Sequence, residues 1–356
     1  PRRRMHPGRG VGYTGSMTDV LKPVFLGPIR IEMPVVLAPL AGYSDLPYRM
    51  ICRQLGCAYA TTEMMLDRLM TAKGRAQSFL MASCPGDTPL AGQMIGNDPA
   101  AMAAGAEVLD RMGFDAVDLN FACPVNKALK RKRGGWLTQY PGEVERLTAA
   151  VLAATDRPVT VKIRQKCAAG DGDVGLEIAR RAFDAGAAAV IAHARSVEAK
   201  YAGAADWGFL RALRAQHADR LIMGSGDVLT PAAAVAMRVE TGVDVVLAAR
   251  GAVGNPWFFR QVRDVAAGRE PYRPSLAEQR AVIEAHFDLA CELYGPLRGP
   301  RIMRKHAIKY ARMHEHPKAL RMAFVAVKTP AQFRQVLEQH YPPAADRAWA
   351  PDAPAS

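Results

Sequence analysis

Cys123 follows Asn120 by three residues and directly precedes Pro124, in the run DLNFACPVNK (118–127). Lys127 and the run Lys130-Arg131-Lys132-Arg133 come just after it. A thiol in a turn amid that much positive charge is expected to be exposed and titratable, able to give or take a proton. Cys52, Cys57, Cys84, Cys167 and Cys291 lack such company and read as small core hydrophobes. Gln93, Lys162 and His193 stand within or at the end of apolar runs. A lysine and an imidazole placed there can reach the polar edge of a flat ring. The ammonium would stabilise negative charge as the ring is reduced, and an amide both donates and accepts. Farther along, GSGDV (224–228) and AARG (248–251) combine small residues with Asp227 and Arg250. Backbone N–H groups in such turns face an anion unobstructed, which implies a phosphate-bearing cofactor.

A repeated unit must bring these residues together. Eight short apolar runs read as strands: VVLAPL (35–40), AYATTE (58–63), LAGQMI (90–95), AVDLN (116–120), VTVKI (159–163), AVIAH (189–193), LIMGS (221–225) and VVLAA (245–249). Between them the patterning predicts helices over 98–112, 142–155, 174–185, 208–217 and 231–241, with Asp98-Pro99 and Thr230-Pro231 as N-cap and first-turn pairs. That alternation predicts an α/β protein, a (β/α)8 TIM barrel. A doubly wound open sheet also alternates, but eight repeats favour closure. Working residues of such a barrel lie at the strand C-termini. Here those ends carry Pro39-Leu40-Ala41, Asn120, Lys162 with Arg164, His193 with Arg195, Ser225-Gly226-Asp227 and Ala249-Arg250.

After Trp257 the alternation stops, and residues 275–340 show helical spacing alone, as at Ile283, Phe287, Ile302, Ile308, Phe324 and Phe333. The expected organisation is a disordered extension over 1–16, a barrel over 17–260, a C-terminal all-helical domain over 275–341 and a flexible tail over 342–356. Gly10, Gly12 and Gly15 satisfy a dinucleotide-binding pattern, yet no strand precedes them and no helix follows, so they carry no such reading. The 356 residues are 49% hydrophobic and 23% charged, which excludes disorder for most of the chain. Forty-seven Lys+Arg against 34 Asp+Glu give a formal charge of +13 and point to an anionic partner. Residues 260–341 are themselves basic, with 15 Lys+Arg and 8 Asp+Glu, concentrated at Arg298, Arg301, Arg304, Lys305, Lys309 and Arg312. No apolar run suggests a membrane span, and the unpaired cysteine spacing suggests neither a disulfide framework nor a metal site. A cytoplasmic monomer is the expectation.

Seven motifs in order, APLAGYSDLPYR (38–49), GQMIGNDP (92–99), DLNFACPVNK (118–127), VTVKIR (159–164), HARSVEAKYAGAADW (193–207), GSGDV (224–228) and AARGAVGNPWFF (248–259), resemble the flavin-dependent tRNA-dihydrouridine synthases. The basic helical tail resembles that family's RNA-binding C-terminal domain. The resemblance implies FMN held at the C-terminal face of the barrel, reduced by NADPH, and reduction of the carbon 5–carbon 6 bond of a uridine in RNA. A tRNA substrate is the first expectation and ribosomal RNA the second. By the same resemblance Pro39, Leu40, Ala41, Gln93, Lys162, His193, Ser225, Gly226, Asp227, Ala249 and Arg250 bind FMN, and Cys123 is the general acid. Asn120, Lys127 and Arg195 would bind the substrate. Tyr43, Trp136 and Tyr201 are candidates to line the cleft, and Lys130 to Arg133 with Arg298 to Arg312 would meet phosphates.

The chain departs from the family pattern at Ala194 and Ser196 after the sixth strand, at Ser225 where Asn is usual, and at Ala249 where Gly is usual. Two other functions stand beside the leading one. One is an FMN oxidoreductase acting on a small pyrimidine-like substrate, for which a basic helical appendage has no use. The other is a flavin-free RNA-binding barrel without catalysis.

Overall fold

The computed structural model describes residues 20–71 and 75–343. The expected extension over 1–16, with its glycine pattern, and residues 344–356 of the expected tail lie outside them. A hairpin of β1 (Val24–Leu26) and β2 (Ile29–Ile31) precedes the barrel, with strands too short to show a sequence period. Leu26 and Ile31 are fully buried against Val36, Ala91, Ala116 and Ala189, plugging the barrel interior from the end where the strands begin.

The barrel strands are β3 (Val35–Leu37), β4 (Ala60–Thr61), then after a short β5 (Met65–Leu66) β6 (Leu90–Ile95), β7 (Ala116–Asn120), β8 (Val159–Arg164), β9 (Ala189–His193), β10 (Leu221–Ser225) and β11 (Val245–Ala248). All are parallel, and β4 pairs with both β3 and β6, so the sheet closes and the open-sheet alternative is excluded. β5 only prolongs the edge of β6. Strands wrapped by helices must be apolar on both faces, and β6, β7 and β10 are buried almost throughout. The first strand ends at Leu37 rather than residue 40, since Pro39 has no N–H for a ladder.

The predicted helices form as Pro99–Arg111, Pro141–Leu152, Val174–Ala185, Trp207–Gln216 and Pro231–Thr241. Asp98 accepts from the Ala101 N–H at 2.8 Å and Thr230 from that of Ala233 at 3.1 Å, as caps should. Two further helices wrap the barrel, Leu46–Gln54 and Phe258–Ala266. The latter runs across residue 260, the expected end of the barrel.

Residues beyond 275 form Leu276–Tyr294, Gly299–Tyr310, Pro317–Val325 and Pro330–His340. Capping boxes start the first and last of these, and Phe287 stacks on Phe333 at 4.1 Å in their shared core. They sit against the barrel through a buried polar seam. Tyr294 donates to Asp45 at 3.0 Å, and His286 shares a hydrogen bond with Tyr310 at 3.1 Å. His306 faces Asp45 at 4.0 Å, beyond hydrogen-bond reach. The basic stripe is therefore not one solvated face. Arg312 donates to the Val253 carbonyl, Arg304 reaches the Val327 carbonyl at 3.5 Å, and Lys305 lies 5.6 Å over the Tyr43 ring. Among the described residues no helix is long and apolar enough to cross a membrane.

Candidate active site

A cavity of about 310 Å³ opens at the C-terminal ends of the strands. Pro39, Leu40, Ala41, Gln93, Asn120, Cys123, Lys162, His193, Ser225, Gly226, Asp227, Ala249 and Arg250 all line it, joined by Met64, Arg164 and Tyr201. Strand register brings them there. Gln93 on β6 lies beside Asp118 on β7, Asp118 beside Thr160 on β8, Asn120 beside Lys162, and His193 beside Ser225.

That register builds a buried hydrogen-bond chain. Thr160 donates to Asp118 at 2.7 Å, and the Gln93 amide nitrogen donates to the other carboxylate oxygen at 2.7 Å. Asn120 then donates to the Gln93 carbonyl oxygen at 2.8 Å, while its own oxygen accepts from the backbone N–H groups of Ala122 and Cys123, both at 3.0 Å. Burial pushes the Asp118 pKa up, opposed by the Gln93 and Thr160 hydrogen bonds and the charge of Lys162.

Cys123 is buried rather than exposed, which corrects the sequence-based expectation. Gly134 and Gly135 close over it: a Cβ on Gly134 would come within 2.9 Å of the Cys123 Cβ, and Gly135 donates to the Cys123 carbonyl at 3.0 Å. Loss of water raises the thiol pKa, and the Val125 N–H, Arg164 and Lys162 only partly oppose this. A thiol held in its protonated form is a proton donor, not a thiolate nucleophile. Arg164 fixes the same turn, donating to the Ala122 carbonyl at 2.9 Å and to Ser196 and Lys200 carbonyls at 2.7 and 2.9 Å.

Opposite stand two groups unlike each other in charge. Removal from water pulls the Lys162 pKa down from its usual 10.5 to about 8, with Asp118 opposing the shift. His193 is pulled to about 2 by burial first and then by Lys162, Arg164, Arg195 and Arg250. Its imidazole is therefore neutral. Ser225 donates to the Ala192 carbonyl at 3.3 Å and so accepts from His193 Nδ1 at 3.1 Å, which leaves Nε2 as a buried lone pair without a partner.

The turn after β10 is left-handed at Gly226, with φ 128°, and a Cβ there would meet the Ala205 methyl at 2.7 Å. Asp227 holds that turn by accepting from the Ala205 N–H at 2.8 Å and pairing with Arg195 at 2.6 Å. After β11 a series of turns over 249–254 precedes the next helix, Phe258–Ala266.

Five expected contributors lie outside the cavity lining. Arg195 is buried outside the cavity lining, bound to Asp227 and to the Ala202 and Gly203 carbonyls at 3.2 and 2.7 Å, and so braces the turn. Lys127 is exposed on a short helix outside the cavity lining. Trp136 stacks on Tyr140 at 4.4 Å and Tyr43 meets His306 edge to face at 5.2 Å, which leaves Tyr201 as the aromatic in the cavity lining, with Arg250 5.3 Å over its ring. Arg133 is also buried, donating to Asn97 at 3.0 Å and facing Asp67 at 3.6 Å, and is lost to the basic rim. Sequence reading missed Asp118, Thr160 and the Gly134-Gly135 pair. Alternation along β7 and β8 could have flagged the first two, since a polar residue inside an apolar run needs a partner.

A curated protein named probable tRNA-dihydrouridine synthase, from Rhodobacter capsulatus, is 33% identical over 312 residues, covering 86% of this chain and 94% of the relative. The tRNA-dihydrouridine synthase B of Escherichia coli K12 is 30% identical over 317 residues, covering 89% and 98%. Among solved structures, a 2-naphthoyl-CoA reductase complex shares the fold at a TM-score of 0.57 and 11% identity. The match spans 71% of this chain and about half, 53%, of that one. The family model described as dihydrouridine synthase matches residues 36–346, barrel and helices together, and the chain belongs to that family.

Proposed function

We propose that this protein reduces uridine to 5,6-dihydrouridine in tRNA, with FMN as cofactor and NADPH as electron donor. One observation carries the reading: a thiol kept protonated by burial shares a cavity with a neutral imidazole, a low-pKa lysine and a glycine turn. The donor set fits FMN. Gly226 lines the cavity beside Arg250, which adds positive charge there, and the lone pair of His193 Nε2 lacks a buried donor that a ring N–H would supply. Bound FMN, reduced by NADPH, supplies a hydride to carbon 6 of the uracil.

The chain's own residues do the rest. Cys123 Sγ–H gives its proton to carbon 5, and the thiolate left behind faces Arg164 and Lys162, the charges that already oppose its raised pKa. Solvent then returns the proton. A uracil reaches this cavity only when unstacked from its neighbours, and exposed Tyr201 offers a face to stack on at the mouth. Exposed cations at Lys127, Lys130, Arg131 and Arg301 are placed to meet phosphates.

Cys123→Ala tests the reading. Flavin content and tRNA affinity should persist while dihydrouridine formation, counted by mass spectrometry of digested tRNA, falls about 10²–10⁴-fold. Wild-type turnover in that variant would refute the acid role. Free uracil replacing tRNA as the oxidant of reduced protein would point to the small-pyrimidine enzyme instead.

A further inference from the structure

The chain from Thr160 through Asp118, Gln93 and Asn120 has one consistent direction. Gln93 donates to one oxygen of Asp118 and Thr160 to the other, so the carboxylate accepts on both sides. Gln93 must then present its NH2 to Asp118 and its oxygen to Asn120. Asn120 in turn must present its NH2 to Gln93 and its oxygen to the N–H groups of Ala122 and Cys123. Turning Gln93 over would set its NH2 against that of Asn120 at 2.8 Å, and turning Asn120 over would set its NH2 against the N–H groups of Ala122 and Cys123 at 3.0 Å. A carboxylate is an expensive residue to bury in a strand whose neighbours are Val117 and Leu119, and an apolar side chain would serve packing better.

We infer that Asp118 is a positioning residue for the proton donor: through the two amides it sets the backbone turn that presents Cys123 to the cavity. Asp118 does not line the cavity, so it touches neither substrate nor cofactor. The inference rests on Cys123 being the acid.

Asp118→Leu removes the acceptor on which the Gln93 NH2 rests, so nothing then holds either amide to one orientation. Asp118→Asn is the conservative control: its oxygen still accepts from Gln93, and its NH2 donates to the Thr160 hydroxyl, which is able to accept. D118L should therefore lower kcat per bound flavin on the order of 10–100-fold with little change in KM for tRNA. Amide hydrogen exchange at Ala122 and Cys123 should quicken in D118L, and D118N should keep both properties near those of wild type. Wild-type kcat with protected amides in D118L, or a D118N as impaired as D118L, would overturn the inference.

Should D118L fail to fold, Q93E decides the matter, read as protection of the Ala122 and Cys123 amides rather than as activity, since Gln93 itself lines the cavity. One proton shared between the carboxylates at positions 93 and 118 keeps the chain intact at low pH, so protection should fall as pH rises and that proton leaves. Protection parallel to wild type would count against it. Cys123→Ala separates the two readings. If C123A keeps turnover, the acid assignment fails, whereas loss in C123A without loss in D118L removes only the relay.

Discussion

At the cavity floor Thr160, Asp118, Gln93 and Asn120 are buried and joined by hydrogen bonds of 2.7–2.8 Å, so their polar atoms are committed to one another. At the rim, Lys127, Lys130 and Arg131 stand exposed on a short helix and the turn after it, free to meet any phosphate within reach. A buried polar group is costly unless paired, which makes the floor rigid and specific. An exposed charge is screened and adaptable, which makes the rim additive and tolerant. Under the proposed function, base chemistry would fall to the first region and RNA affinity to the second.

The sharpest way to break this comparison lies inside one basic run. Arg133→Ala removes the guanidinium facing buried Asp67, and should cost about 3 kcal/mol of stability by denaturant titration, because a carboxylate is left without its cation. Unchanged stability would mean that Arg133 belongs with the rim after all.

A smaller effect comes from Lys162. Its pKa of about 8 in the cofactor-free protein means that the ammonium is present below that pH and lost above it. FMN affinity, followed by fluorescence titration, should decline as pH rises through about 8, by up to about tenfold per pH unit, and Lys162→Met should flatten the profile. The smallest effect is expected for Lys130→Ala, three positions from Arg133. Stability should stay within about 0.5 kcal/mol of wild type. The slope of log affinity for tRNA against log salt should shrink by about one unit.

Much of the barrel was legible because an apolar run of four to six residues followed by a capped amphipathic helix is a local signal, as at LAGQMI and Asp98-Pro99. The cavity lining followed from it, since strand ends share one rim. Exposure was not legible. Cys123 looked exposed amid lysines and arginines, but Gly134 and Gly135 fold back over it and their effect depends on a contact rather than on their spacing. Arg195 looked available until Asp227, 32 residues later in sequence, took its guanidinium. The basic stripe over 298–312 is expected from sequence to meet phosphates, yet the barrel supplies the Val253 carbonyl as a partner for Arg312.

Residue types and their order along the chain determined by themselves that this is a closed barrel with a thiol, a lysine, an imidazole and a glycine turn at its strand ends, because periodicity and capping are properties of neighbouring residues. Only the tertiary structure decided which polar atoms are already committed, which way the Gln93 and Asn120 amides point, and that the thiol keeps its proton. Those outcomes depend on inter-strand register and on exclusion of water, and both are set by residues distant in sequence.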